Sequence, residues 1–211
     1  MKLLNSIVPL VKIAVSRLNN PVALLRLGHV GKRYYIGKGL QVHAPGSIYI
    51  GNKVTIGRYS RLSAYNTGKD KTCHVDSPAN DADFSGYKIV IHDGCYICNF
   101  FSILAGAKVV VGENTLIASY VTIMSENHSI DPECGMLYGS QSLKEAPTEI
   151  GHSCWIGEKA TIMPGVTIGP WSIIGAASVV TSDIPPYSIA VGNPAKVIKR
   201  YNFRTHEWEK Q

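Results

Sequence analysis

The chain has 211 residues, 45% of them hydrophobic, which suffices for one domain with a sizeable core and excludes a disordered chain. Its net charge of +6 is unevenly spread: residues 1–69 hold eleven Lys or Arg and no Asp or Glu, and the first acid is Asp70. No helix-turn-helix, zinc-finger or aromatic-plus-basic motif accompanies that charge, so nucleic acid is not the expected partner; anions, phosphates, an acidic membrane surface or plain solvation remain open.

Residues 1–35 form a helical, basic segment. The apolar run from Leu3 to Val15 is interrupted by Pro9 and Lys12, and no small-x-small cleavage site follows, so a signal peptide is not expected. The run is also too short to span a bilayer. It reads as an amphipathic helix or two that either pack on the end of the next region or rest on a membrane surface.

Residues 36–190 follow a period of six. Ile50-Gly51 and Ile56-Gly57 begin it, with Leu62 one hexad later. A second frame runs through Ile91, Ile97, Ile103, Val109, Thr115 and Val121, with Val111, Ile117 and Ile123 two residues after the later members. The third frame is unbroken: Ile150, Ile156, Ile162, Ile168, Ile174 and Val180, with small or β-branched residues (Cys154, Ala160, Val166, Ser172, Ser178) four places on. An α-helix cannot sustain that period, whereas stacked hexapeptides build an all-β solenoid, a parallel β-helix with each aliphatic turned inward. Glycine beside the aliphatic is expected to ease the bend. The pattern fails at 66–86 and 125–148, which read as loops thrown out of the coil, on the face where a repeat protein usually binds. Pro185-Pro186 ends regular pairing, and residues 191–211 form an extension closing in a short helix over Phe203–Lys210.

Cys73, Cys95, Cys98, Cys134 and Cys154 are odd in number and irregularly spaced. Cys95-Tyr-Ile-Cys98 has no second CxxC or HxxxH to complete a metal site, so no metal is expected; reduced thiols suit the cytoplasm.

Four stretches resemble the hexapeptide-repeat acetyltransferases: Trp155-Ile-Gly-Glu-Lys-Ala-Thr-Ile-Met-Pro-Gly-Val-Thr-Ile-Gly169, Ile174-Gly-Ala-Ala-Ser-Val-Val-Thr181, Asp183-Ile-Pro-Pro186, and Val191-Gly-Asn-Pro-Ala-Lys-Val-Ile198 with Lys199. Among these the sugar and polysaccharide O-acetyltransferases of the maltose and galactoside type are most similar, over roughly Tyr87 to Lys199. The resemblance implies a left-handed coil, although right-handed crossovers are the general rule. It also implies acetyl-CoA as co-substrate and a homotrimer with sites between subunits.

The resemblance further implies roles for particular residues. His128, in Ser-Glu-Asn-His128-Ser-Ile-Asp131, matches the catalytic histidine. A neutral imidazole can take the proton of an acceptor hydroxyl as it attacks the thioester, with no acyl-enzyme. Asn99 matches an acceptor-binding asparagine, and Trp155 a wall of the acceptor and pantetheine region. Asp131 and Glu145 are candidates for orienting the imidazole or holding sugar hydroxyls. Ala176 and Thr181 match the lining of the CoA arm, and Lys196 and Lys199 match cations that meet its phosphates.

Transfer of acetyl to a hydroxyl of a sugar or polysaccharide precursor is therefore expected. An amino-sugar N-acetyltransferase and a non-enzymatic assembly protein that kept the coil are the alternatives. A γ-type carbonic anhydrase would need two histidines five apart, and His29, His43, His74, His92, His128, His152 and His206 offer no such pair. The expected location is the cytoplasm, with membrane association through the basic N-terminus still open.

Overall fold

The structure, a computed structural model, describes residues 2–65 and 84–211. Two helices, α1 (Lys2–Asn19) and α2 (Pro21–Arg26), precede a three-sided stack of parallel strands. Each coil gives one short strand to each of three sheets, designated A, B and C. The first coil is β1 (His29–Val30), β2 (Tyr35–Ile36) and β3 (Gln41–His43); the second is β4 (Ile48–Ile50), β5 (Thr55–Ile56) and β6 (Arg61–Ala64). The third is β7 (Ile89–Ile91), β8 (Tyr96–Ile97) and β9 (Ser102–Ala105), and the fourth β10 (Val109–Val111), β11 (Leu116–Ile117) and β12 (Thr122–Met124). A hairpin of β13 (Glu126–His128) and β14 (Leu143–Glu145) interrupts the path. The fifth coil is β15 (Thr148–Ile150), β16 (Trp155–Ile156) and β17 (Thr161–Ile162); the sixth is β18 (Thr167–Ile168), β19 (Ile173–Ile174) and β20 (Val179–Val180).

The six-residue step becomes three buried columns, one per sheet. On sheet B the register aligns Ile36, Ile56, Ile97, Ile117, Ile156 and Ile174. On sheet A it aligns Val30, Ile50, Ile91, Val111, Ile150 and Ile168, and on sheet C Val42, Leu62, Ile103, Ile123, Ile162 and Val180. Nearly all are fully buried. Fully burying such a side chain stabilises by about 1.5–3 kcal/mol, and the core grows with each coil added.

The glycine after each aliphatic has a different role from the expected one. Its φ is not positive; the left-handed corner residue lies two places further on, as at Lys53, Tyr59, Ser153 and Lys159. What demands glycine is the next coil. A Cβ on Gly157 would stand 2.6 Å from the Ala176 backbone nitrogen, and one on Gly151 2.6 Å from that of Pro170. The residue is small because successive corners nearly touch.

The ends of the stack are closed by residues with matching polar groups. Ser16 on α1 accepts a hydrogen bond at Oγ from the Ile36 amide (2.8 Å), and Asn20 accepts one from the Leu40 amide (3.0 Å) while donating to the Gly37 carbonyl (2.9 Å). These side chains supply partners that no preceding coil exists to give. Strand structure thus begins at His29, inside the segment 1–35 expected to be helical.

The C-terminal end departs from expectation. Pairing continues on both sides of Pro185-Pro186: Ile184, just before them, bridges to Ile168, and β21 (Ser188–Gly192), after them, adds to sheet B beside β19. The chain then turns back as β22 (Ala195–Asn202) and β23 (Glu207–Lys210), both antiparallel. The short helix expected over Phe203–Lys210 is therefore a hairpin arm. Tyr201 faces Trp208 across it (ring centroids 5.4 Å apart), Phe203 packs on Tyr187 (4.8 Å), and Asn202 caps the turn by accepting from the Arg204 amide (2.8 Å). Aromatic cross-strand pairs and an asparagine turn outweigh the weak helical preference of this segment.

Both excursions leave the coil at one edge. The chain departs after β6 and after β12, each time from sheet C, and returns each time to sheet A. The stretch expected as a loop at 66–86 lies, up to residue 83, outside the described residues, as do Cys73 and His74.

Cys95 and Cys154 are buried with their thiols donating to the carbonyls of Gly112 (3.2 Å) and Gly169 (3.3 Å), whereas Cys134 is exposed. Burial pushes Cys95 up to about 12 and Cys154 up to about 11, from an ordinary 9.0. The stabilisation tied to their protonated thiols is full below the unfolded value of 9.0 and is lost as pH rises through 11 to 12. At mildly alkaline pH the native protein should take up iodoacetamide at Cys134 while Cys95 and Cys154 react only after unfolding, read by peptide mass mapping. Asn20→Ala should lower the thermal midpoint by several degrees, the effect of about 1–3 kcal/mol from unpaired backbone groups. The loss should appear first as faster amide exchange in 29–43.

Candidate functional site

The hairpin β13–β14 stands on the edge between sheets C and A. Its root is fixed by Ser125, buried, whose Oγ donates to the Ala107 carbonyl (2.7 Å), and by the Ala146 amide donating to the Ser125 carbonyl (2.9 Å). The register sets Glu126 opposite Glu145 and His128 opposite Leu143. Those four side chains share one face of the ribbon, because facing residues in an antiparallel pair project together. Glu145 is therefore diagonal to His128, a separation of roughly 7–8 Å between such positions. Glu126 flanks His128 from its own strand. Glu126 and Glu145 close over Gly106, where a Cβ would lie 2.6 Å from the Glu126 Cβ and 3.1 Å from the Glu145 Cγ. His128, exposed, stands beyond them at the outer end of the same face.

The tip of the excursion is organised by Gln141, which is buried at 7% exposure. Its Nε2 donates to the carbonyls of Asp131 (2.8 Å) and Met136 (3.2 Å), and its Oε1 accepts from the Asp131 amide (3.1 Å). One amide side chain thus holds the 131–141 turn closed. The Asp131 carboxylate accepts from the Glu133 amide (2.9 Å), so it braces its own turn and is directed at the loop backbone. Sequence reasoning named Asp131 and Glu145 but missed Glu126 and Gln141. The signal for Glu126 was its place two residues before His128, on the same face of any strand.

The remaining expected residues lie elsewhere. Trp155 is half exposed on the outer surface of sheet B, in register below Leu116 and Tyr96 and above Ile173. Asn99 sits at the corner between sheets B and C, where its Oδ1 accepts from the Arg58 amide (2.8 Å). Asn52 makes the same kind of link at another corner, to the Lys32 amide (2.8 Å), so this carbonyl belongs to the coil-to-coil scaffold. Ala176 is exposed at the B–C corner of the sixth coil, its amide against Gly157. Val191 packs on the neighbouring Gly175, and Lys196 is the cross-strand partner of Val191, one strand further out on the same sheet. Lys199 pairs with Ile189 on the same sheet. Thr181 follows β20 and lies toward the C–A edge, exposed.

Two groups result. His128, Asp131, Glu145 and Thr181 belong to the C–A edge. Asn99, Trp155, Ala176, Lys196 and Lys199 belong to sheet B and its corner with sheet C. In a three-sided prism an edge and the opposite face are separated by the core, so one chain does not bring the groups together.

The B–C corner carries a feature that sequence reasoning missed. Tyr59, Phe100 and Tyr120 occupy successive left-handed corner positions and stack, Tyr59 on Phe100 at 5.6 Å and Phe100 on Tyr120 at 4.7 Å between centroids. All three are exposed. Each stands three residues after a buried hexad isoleucine, a spacing visible in the sequence once the corner geometry is known. Among the described residues no cluster of three or more His, Cys, Asp or Glu could hold a metal ion.

Comparison with known proteins fits this architecture. The model of bacterial transferase hexapeptides, six repeats long, matches residues 147–182. A protein of Escherichia coli K12 named for lipopolysaccharide biosynthesis, the O-acetyl transferase WbbJ, is 33% identical over 171 residues, 78% of each chain. The galactoside O-acetyltransferase of the same organism is 40% identical over 123 residues, 57% of this chain and 59% of that protein. Among solved structures, a point mutant of the N-acyltransferase AntD of Bacillus cereus, in complex with dTDP-4-amino-4,6-dideoxyglucose and coenzyme A, superposes with a TM-score of 0.68 at 20% identity, covering 88% of this chain and 90% of that one. The hexapeptide-repeat acetyltransferase VCA0836 of Vibrio cholerae, complexed with acetyl coenzyme A, gives 0.54 at 20% identity, covering 90% and 83%. The shared fold is the left-handed parallel β-helix, the hand expected from the resemblance. With its stacked hexads, its edge hairpin and a relative alike over most of both lengths, the chain belongs to the hexapeptide-repeat transferases and is an acyltransferase.

Proposed function

We propose that this protein transfers an acetyl group from acetyl-CoA to a hydroxyl of a sugar or polysaccharide precursor, with His128 as the base, at a site formed between copies of a homotrimer. The observation that carries this reading is the division of the expected residues between an edge and the face opposite it. His128 is held outward on a braced hairpin, and Trp155 is presented outward on sheet B. A neighbouring copy can supply the one to the other, and a closed ring does so at every interface. The names of the 33% and 40% identical relatives support an O-linked acceptor, and the coenzyme-bound neighbours support the co-substrate.

The chemistry follows from what the residues can do. The His128 imidazole takes the hydroxyl proton while that oxygen attacks the thioester carbonyl. The carbon–sulfur bond then breaks, and the proton held by the imidazole goes to the departing sulfur, which leaves CoA as a thiol and the acceptor as an ester. Glu126 and Glu145 lie on the same ribbon face as His128 and can accept hydrogen bonds from acceptor hydroxyls there. Trp155 supplies a flat apolar wall, while Lys196 and Lys199, on β22 of the same sheet, offer cations to the phosphates of the co-substrate.

A second reading is acyl transfer to an amino sugar, favoured by the amino-sugar complex of the Bacillus cereus neighbour. A panel of hydroxyl and amine acceptors, followed by CoA thiol release, separates the two.

His128→Ala should lower thiol release by about a hundredfold to ten-thousandfold with co-substrate binding and oligomeric state unchanged. Near-normal transfer by that variant would contradict the mechanism. Mixing the His128→Ala and Trp155→Ala chains before assembly tests the shared site. Each alone should be impaired, and random co-assembly should restore about a quarter of the interfaces. No recovery on mixing would mean that each chain holds its own site.

A further inference from the structure

The capping helices have a second face that the coil does not use. On α1, Ser16 and Ile13 turn toward the first coil, while Leu10, Val11, Val15 and Leu18 are exposed, Leu18 at 81%. These positions repeat at helical spacing and form one outward stripe. On α2, Val22 and Leu25 continue it, Leu25 at 87% exposure, whereas Ala23 and Leu24 pack on the core. Scattered exposed leucines are ordinary, but a run of six aliphatics on two adjoining helices is a patch that needs a partner.

Charge says which partner. Lys12, Arg17 and Arg26 lie on the same helices, and Lys32, Arg33 and Lys38 ring the first coil beneath them, all exposed. No acid occurs anywhere in residues 1–69. A second copy docking on the stripe would bring two uncompensated basic surfaces together, which disfavours self-association there. Nucleic acid would match the charge but gives no reason for an apolar stripe. An anionic lipid surface matches both: acyl chains receive the aliphatics and headgroups neutralise the flanking bases. Among the described residues no helix is long and apolar enough to cross a membrane, which is consistent with a helix lying in the interface.

We infer that α1 and α2 form an interfacial anchor that seats the N-terminal end of the β-helix on anionic membranes. This inference is independent of the proposed reaction. The test is co-sedimentation of the full-length protein with vesicles of phosphatidylcholine, alone or with about one third phosphatidylglycerol, at low and high salt. The protein should pellet with the anionic vesicles at low salt and be partly released at high salt. Leu18→Glu combined with Leu25→Glu should weaken partitioning by on the order of a hundredfold. Arg17→Gln combined with Arg26→Gln should weaken it by on the order of tenfold, on anionic vesicles alone. Both variants change exposed side chains, so the thermal midpoint and transfer rate should match the unaltered protein. Absence of vesicle binding, unchanged binding by the leucine variant, or equal binding to neutral vesicles would each overturn the inference. So would a fall in oligomer size on size exclusion for the leucine variant, which would assign the stripe to another copy. Duplex DNA that binds the protein and displaces it from vesicles would assign the basic end to nucleic acid.

Discussion

Everything in this molecule depends on how closely one coil lies on the next. Six aliphatics in register on each sheet exclude water along the axis, and at the corners the backbones approach until no Cβ fits between Gly157 and Ala176 or between Gly151 and Pro170. Burial provides the free energy, while the corner contact fixes the spacing and thus the register. A strand of two or three residues is not stable alone; it becomes so only as one rung of a ladder whose rungs are all equally placed. The same regularity makes the two ends special, since a terminal rung lacks one neighbour. Helical side chains at one end and an antiparallel arm at the other supply what is missing.

Departures from the hexad rule are carried where the ladder meets solvent. Edges and outer faces are not needed for the core, so residues there are free to differ from the hexad rule. The aromatic stack of Tyr59, Phe100 and Tyr120 illustrates this. Three large side chains in left-handed backbone cost about 1 kcal/mol or more each where glycine or asparagine would cost little. The coil tolerates them because its ladder over-determines the corner conformation. The hairpin with His128 is likewise built on an edge that carries no load in the core.

How far the sequence could be read depended on whether local pattern or distant contact decides the structure. The columns through Ile97, Ile117 and Ile156 were legible because a period of six is a one-dimensional signal. His128 became a candidate only through resemblance; nothing in its own loop distinguishes it from a surface histidine. Glu126 and Gln141 escaped notice because their importance lies in cross-strand register and in a turn closed ten residues away. The terminal segment misled for the complementary reason. Glu207–Lys210 has acceptable helix formers, and what commits it to a strand is Tyr201 on the far side of a turn. Corner glycines were located correctly but explained wrongly, because the neighbour that requires them is a full coil away and invisible to a local view.

The excursion that bears His128 leaves sheet C and rejoins sheet A at the position a short corner would have reached, since Val109 pairs with Thr148 and Thr122 with Thr161 across it as if nothing intervened. The coil is in this sense a socket, and the loop a cartridge plugged into it. Length, composition and tip geometry of the insert can drift while the scaffold continues undisturbed, because its folding instructions do not pass through the insert. A lineage built on this plan can exchange loops at one edge while the other faces of the coil stay unaltered.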